Sequence, residues 1–90
     1  MFSQSFIITN EEGLHLRPAA VVAKEMGRFK CSVAIIKKNH SNQRVNAKSL
    51  INIVGSCIKC GTEIVVEAEG EDEKAAVKRF EELLKSGFSI

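Results

Sequence analysis

The 90-residue sequence contains no tryptophan and no tyrosine, and its five phenylalanines are scattered along the chain. A stacking platform for single-stranded nucleic acid needs clustered aromatic side chains, so none is predicted. No charge sign dominates either, because 13 basic residues face 11 acidic ones and give a formal net charge of +2. That balance by itself indicates neither a nucleic-acid partner nor an anionic membrane surface.

Long apolar runs are also missing. No stretch approaches the roughly 20 apolar residues that a membrane-spanning helix needs, so we expect no membrane insertion. Residues 1–6 (MFSQSF) lack the basic and apolar features of a secretory leader. Three cysteines, an odd number, make a poor disulfide framework and fit a reducing compartment. We therefore expect a cytoplasmic protein.

Two of the cysteines, Cys57 and Cys60, form a C-x-x-C motif. A redox motif places its first cysteine at the start of a helix, where the thiol pKa falls, whereas this pair follows a predicted helix. A four-ligand zinc site would have only Cys31 as a further cysteine. His15 and His40 are the only histidines, and neither has a second ligand at helical spacing. The sequence therefore predicts no metal site and does not favour a redox role.

Hydrophobic periodicity and turn residues predict seven elements in the order β-α-β-β-α-β-α. The predicted strands cover residues 2–9, 31–37, 44–46 and 62–69, the helices start near residues 16–18, 50 and 72, and a polar hairpin loop covers residues 38–43. The run LINIV at residues 50–54 is compatible with a strand, but Ser49 as an N-cap and Gly55 near the end favour a short helix.

Helices on one face of a small antiparallel sheet would bury the apolar face of each element in a two-layer α+β fold. The residues expected to face this core are Phe6, Ile8, Ala20, Ala23, Met26, Ile64, Val66, Ala68, Val77, Phe80 and Leu84, with Ala76 and Leu83 beside the last three. Ferredoxin-like domains share most of this element order and serve many functions. Function must therefore be inferred from a site.

The most informative segment is residues 13–20 (GLHLRPAA), in which His15 lies where a loop becomes a helix. The first N–H groups of a helix have no intrahelical partner and carry partial positive charge, so they favour a phosphate. Arg17 adds a guanidinium that fits phosphate oxygens. A neutral imidazole is a competent nucleophile near pH 7. The alternative is that His15 only caps the helix and Arg17 is a solvated charge, which an isolated H-x-R cannot exclude.

Residues 13–20, followed by KSLI at residues 48–51, closely resemble the HPr family, the histidine-containing phosphocarriers of bacterial phosphoenolpyruvate-dependent sugar phosphotransferase systems. The resemblance covers nearly the whole chain and includes VNxKS at residues 45–49, GxEI at residues 61–64 and AxGxDE at residues 68–73. It implies one HPr-like domain over residues 1–90. The implied fold is an open-faced β-sandwich with four antiparallel strands and three helices on one side.

The resemblance also implies roles for individual residues. His15 would be the phosphoryl acceptor, Arg17 its phosphate partner, and Pro18 would help to fix the start of the helix. Ser49 matches the serine that HPr kinase/phosphorylase modifies in many members. The positions where the family docks its partner proteins are Leu16, Pro18, Leu50, Ile51 and Val54. For the last three, core packing is the alternative, although so short a helix cannot bury every side.

The implied partners are enzyme I, which donates the phosphoryl group, and the sugar-specific IIA domains, which receive it. We expect a monomeric carrier that is a substrate of phosphotransferases, with no enzymatic turnover of its own and no cofactor. A regulatory, nitrogen-type paralogue would share the histidine chemistry. A ferredoxin-like ligand- or RNA-binding module with an incidental His15 is the alternative from another class. A hydrolase ranks below both, since no nearby acid is evident.

Three departures from the family pattern bear on the partners. Leu16 replaces the small residue that usually follows the histidine. The loop over residues 38–43 is longer than usual, and residues 52–57 (NIVGSC) replace a stretch that commonly contains methionine and glycine. These changes concern the identity of the partners more than the chemistry of His15.

Overall fold

The computed structural model describes residues 1–38 and 42–88, so residues 39–41 of the predicted hairpin loop lie outside the described residues. The elements are β1 (Phe2–Ile7), α1 (Leu16–Met26), β2 (Ser32–Lys37), β3 (Gln43–Asn46), α2 (Leu50–Gly55), β4 (Glu63–Glu69) and α3 (Glu73–Lys85). The predicted order of elements is confirmed, including the helix at residues 50–55. The Ser49 hydroxyl caps that helix by accepting a hydrogen bond from the Asn52 N–H at 3.3 Å.

The four strands form one antiparallel sheet in the order β1-β4-β2-β3. Its register places Phe6 opposite Ile64, and Ile35 opposite both Val66 and Val45. These five side chains are buried on the face that the three helices cover. The other face is left open, which confirms the predicted open-faced β-sandwich. Among residues 1–38 and 42–88, no helix has the length and apolarity needed to cross a bilayer.

The core contains most of the residues that the sequence predicted, with two corrections. Ala20 is exposed, and the buried stripe of α1 runs instead through Ala19, Val22 and Met26. Residues 18–23 are all apolar, so periodicity alone allows two helical registers. Of the predicted positions only Ala20 was wrong, since Met26 is buried and Ala23 packs half-buried against the core. In α3, Leu83 is fully buried whereas Leu84 is only half-buried, which reverses their expected order.

Asp72 occupies the N-cap position of α3 but its side chain does not cap that helix. The carboxylate accepts hydrogen bonds from the backbone N–H groups of Lys30 and Cys31, both at 2.9 Å, and so joins α3 to the start of β2. The Lys30 bond is the main reason why the pKa of Asp72 lies below its ordinary value. Burial, with Asp72 beside it, raises the pKa of the Cys31 thiol to about 11. Cys31 is therefore an unreactive core thiol.

A buried carboxylate joins α1 to α3. The Glu25 side chain is 5% exposed and accepts a hydrogen bond from Arg79 Nε at 3.0 Å, while Arg28 lies 3.4 Å away. The Arg79 bond outweighs burial and holds the pKa of Glu25 below its ordinary value. The ionised carboxylate therefore stabilises the folded state above the unfolded pKa, about 4.5, and this stabilisation is lost as pH falls through the lower folded pKa.

Replacing Glu25 by glutamine should accordingly lower stability most near neutral pH. We expect a loss of about 1–2 kcal/mol at pH 7, because a charge-assisted hydrogen bond becomes a neutral one. The difference from the parent protein should shrink as pH decreases below 4.5. Urea unfolding of both proteins from pH 7 to pH 3 measures it, and a difference that stays constant over that range would contradict the assignment.

Candidate functional site

His15 is the N-cap residue of α1 and has an extended backbone, with φ −81° and ψ −166°. Its carbonyl accepts the first helical bond from the Ala19 N–H at 2.8 Å. Pro18 has no N–H, so the free donors of the first turn are the backbone N–H groups of Leu16 and Arg17. Neither has a hydrogen-bond partner in the part of the chain that the structure describes. The helix therefore begins with two unused donors beside His15.

The His15 side chain is exposed and makes no capping hydrogen bond. The alternative interpretation, a histidine that only caps its helix through its side chain, is therefore not what the structure contains. Arg17 is exposed in the same turn, two residues along the chain. Pro18 is buried, which leaves little of its surface for a partner and makes it a residue that fixes the start of α1.

The loop before His15 is held in place from two sides. Gly13 has a left-handed backbone, with φ +64°, and its carbonyl accepts a hydrogen bond from the Asn10 side-chain amide at 2.7 Å. The Leu14 N–H donates to the Ile58 carbonyl at 2.8 Å, and the Leu14 side chain is buried. The backbone near Gly13 thus packs directly against residues 58–59, and this contact sets the direction in which His15 leaves the loop.

A cavity of about 270 Å³ lies beside His15. It is lined by Glu12, Leu14, His15, Val54, Cys57, Ile58 and Lys59. Arg17 is not among the lining residues. The sequence did not predict that Glu12, Cys57 and Lys59 lie beside His15. Glu12 is far from the other two along the chain, and only the contact between the two loops brings them together. Cys57 and Cys60 are both exposed, and Cys57 has φ +55°.

The predicted docking positions on α2 are close to this cavity. Val54 is half-buried and lines it, whereas Leu50 and Ile51 are 37% and 83% exposed. The helix buries Ile53 instead. On α1, Leu16 is 60% exposed. The structure therefore leaves Leu16, Leu50 and Ile51 on the surface, so core packing does not account for these three side chains.

Sequence comparisons identify known proteins that are similar to this chain. The family model described as "PTS HPr component phosphorylation site" matches residues 2–86. The phosphocarrier protein HPr of Mycoplasma capricolum is 39% identical over 80 residues, which cover 89% of this chain and 86% of that protein.

Two solved structures are similar over almost the whole chain. A crystal structure of HPr from Thermoanaerobacter tengcongensis superposes with a TM-score of 0.89 at 33% identity, covering 98% of this chain and 96% of that one. A crystal structure of Crh from Bacillus subtilis, described as a swapped dimer, has a TM-score of 0.72 at 30% identity and covers both chains fully. The chain therefore belongs to the HPr family, the phosphocarrier proteins of the phosphotransferase system.

Proposed function

We propose that this chain carries a phosphoryl group on the His15 imidazole, which it accepts from phosphorylated enzyme I and passes to the IIA domain of a sugar permease. The observation that supports this most directly is the exposed imidazole beside the unpartnered N–H groups of Leu16 and Arg17. Those donors and the Arg17 guanidinium are placed to receive phosphate oxygens. The chain is consumed and regenerated in each cycle, so it is a substrate of its partners and not a catalyst.

Phosphoryl transfer requires little from this chain beyond a correctly placed His15 imidazole. A ring nitrogen of neutral His15 attacks phosphorus, the bond to the donor breaks, and the new N–P bond forms on the imidazole. The same steps in reverse, toward an acceptor on the IIA domain, regenerate the free histidine. Positioning and charge stabilisation account for most of the catalysis of phosphoryl transfer, and a carrier bound face to face with its partner can share both.

The direct test is to incubate the protein with enzyme I and phosphoenolpyruvate and to locate the phosphoryl group by mass spectrometry. We expect one added group on the peptide that contains His15, labile in acid and stable in base, as a phosphoramidate is. A base-labile adduct would indicate an acyl phosphate instead. A chain that takes no label would favour a ferredoxin-like binding module in which His15 is incidental.

Arg17 has a predicted role in stabilising the phosphoryl group. Replacing it by alanine should slow transfer by about 10- to 150-fold, equivalent to the 1.5–3 kcal/mol of a hydrogen bond to a charged group. Stability should not change, because Arg17 is exposed and has no partner among residues 1–38 and 42–88. Lys24→Ala is the matched control, since it removes an exposed charge from the same helix. Equal rates for both variants in both transfer steps would remove Arg17 from the site.

We propose docking of partners on the surface formed by Leu16, Leu50, Ile51 and Val54, and regulation by a kinase at Ser49. Ser49 lies at the start of α2, immediately before Leu50 and Ile51. A phosphate there would be compatible with the free N–H groups of the helix, so the fold should be retained. Its negative charges would have to be desolvated when a partner covers the neighbouring apolar side chains.

Ser49→Asp should therefore raise the apparent KM for enzyme I several-fold and leave the melting temperature nearly unchanged, because aspartate is also a good N-cap. Ser49→Ala separates the two effects. It removes the cap, at a cost of about 1 kcal/mol, but adds no charge, so its KM should remain that of the parent protein. An unaltered KM for Ser49→Asp would mean that Ser49 acts only as a cap.

We expect a monomer, and sedimentation equilibrium measures this. The connection from β1 to α1 is bonded to residues 58–62 of its own chain, through Ile8 N–H to the Thr62 carbonyl at 3.0 Å and Gly61 N–H to the Ile8 carbonyl at 2.7 Å. A dimer formed by exchange of β1 would have to transfer these bonds to a second chain.

A further inference from the structure

Two charged side chains of opposite sign line the cavity beside His15, and the proposed carrier role does not use either of them. They are Glu12, in the loop before the histidine, and Lys59, in the loop after α2. Both are exposed. In the part of the chain that the structure describes, neither side chain takes part in an ion pair.

The backbone determines where these two residues lie. A Cβ atom at Gly13 would be 2.5 Å from the Ile58 carbonyl oxygen and 2.7 Å from Lys59 Cα, so the two loops are in direct contact at this point. The hydrogen bond from Leu14 to Ile58 fixes the same contact. Glu12 and Lys59 therefore flank the crossing of two anchored segments, and His15 follows it. This placement does not depend on any contact between the two side chains.

The electrostatic consequence follows from the charge that appears on His15. The nucleophilic form of the imidazole carries no charge, whereas a phosphoryl group on nitrogen adds about two negative charges at neutral pH. A neighbouring carboxylate therefore destabilises only the phosphorylated state, and a neighbouring ammonium stabilises only that state. Because the side chains are exposed, water and salt reduce both effects without removing them.

We infer that Glu12 and Lys59 adjust, in opposite directions, how strongly His15 holds its phosphoryl group. This inference rests on the proposed function. Glu12 makes the phosphorylated chain a stronger donor, and Lys59, together with Arg17, makes it a weaker one. Each side chain changes the free energy of the phosphorylated chain only. It therefore changes the equilibrium constant for loading from enzyme I by some factor, and the constant for unloading to a IIA domain by the inverse of that factor.

The experiment measures the equilibrium constant of phosphoryl exchange between enzyme I and the intact chain, from the fraction of each protein phosphorylated at equilibrium. Glu12→Gln should raise the constant for loading the chain about three- to tenfold at low salt. Lys59→Gln should lower it by a comparable factor. Glu11→Gln is the matched control, because it removes the same charge from the adjacent exposed residue, which does not line the cavity, and its constant should stay within twofold of the parent value.

Salt provides a second readout, which a merely structural role would not produce. The shifts in Glu12→Gln and Lys59→Gln should both decrease toward the parent value at 1 M ionic strength, where the screening length is about 3 Å. Equal shifts for Glu11→Gln and Glu12→Gln would overturn the inference, as would shifts of the same sign at positions 12 and 59. If the chain loads normally on His15 but neither variant shifts the loading constant, the inference is overturned and the proposed function remains in place. A chain that takes no label overturns both.

Discussion

Replacing His15 by alanine should reduce phosphoryl transfer from enzyme I to the background of the assay and leave the domain folded. The imidazole is the proposed acceptor, so its removal would eliminate the accepting nitrogen and not merely a stabilising contact. The fold should be insensitive to the change, because the side chain is exposed and makes no capping hydrogen bond. Labelling with phosphorylated enzyme I measures transfer, and thermal unfolding measures stability.

The matched control is His40→Ala, which removes the other histidine of the chain. Its labelling should equal that of the parent protein. Normal labelling of His15→Ala would show that another residue accepts the phosphoryl group, and the loss of labelling in His40→Ala alone would assign it to His40. A large fall in the melting temperature of His15→Ala would mean that the imidazole supports the loop, contrary to its exposure.

The fold could be predicted from the sequence where a local pattern and a terminating residue agree. The clearest case is α2, whose apolar run also suits a strand. Ser49 decided in favour of a helix, because a side-chain oxygen that accepts from the N–H three residues later stabilises a helix start, and the structure contains that bond. The alternation of β4 likewise identified Ile64, Val66 and Ala68 as its buried face.

The misassigned residues have a common cause. Ala20 and Leu84 each lie beside another apolar residue. The sequence therefore does not determine which of two adjacent residues faces the core. Only the tertiary packing, of α1 against α2 and α3 and of α3 against the sheet, selects Ala19 and Leu83. Asp72 lies at the N-cap position of α3 but does not cap it, because the start of β2 approaches its carboxylate and offers two backbone N–H groups. Such contacts join residues far apart in the chain, where periodicity carries no information.

Some residues of the candidate site could be predicted from the sequence and others could not. His15 and Arg17 share a segment with a helix start, so the residues themselves indicated phosphate chemistry. Glu12 and Lys59 have no such local signal, because they meet at His15 only through the contact of two loops. Resemblance to a family did not supply them either, since neither residue falls within the motifs at residues 13–20, 45–51, 61–64 and 68–73 that carried it. The charges around His15 are thus a property of the tertiary structure.

Replacing Gly13 by alanine tests how far that loop contact supports the site. Gly13 has φ +64°, and its added Cβ would lie 2.5 Å from the Ile58 carbonyl oxygen, which is backbone and cannot move aside as a flexible side chain would. We expect a loss of about 1–2 kcal/mol for the left-handed backbone and about 1–3 kcal/mol more for the steric overlap. Urea unfolding measures the sum.

Gly87→Ala is the matched control for the backbone cost. Gly87 has nearly the same backbone angle, φ +70°, but no atom of residues 1–38 and 42–88 lies within 4 Å of its added Cβ, so we expect the conformational cost alone. The difference between the two variants therefore isolates the contact between the loops, and equal losses of stability would mean that the contact relaxes freely. If the contact opens in Gly13→Ala, the bond from Leu14 to Ile58 is strained and His15 moves relative to α2. Transfer from enzyme I should then slow in Gly13→Ala under conditions in which both variants are fully folded, while Gly87→Ala transfers at the parent rate.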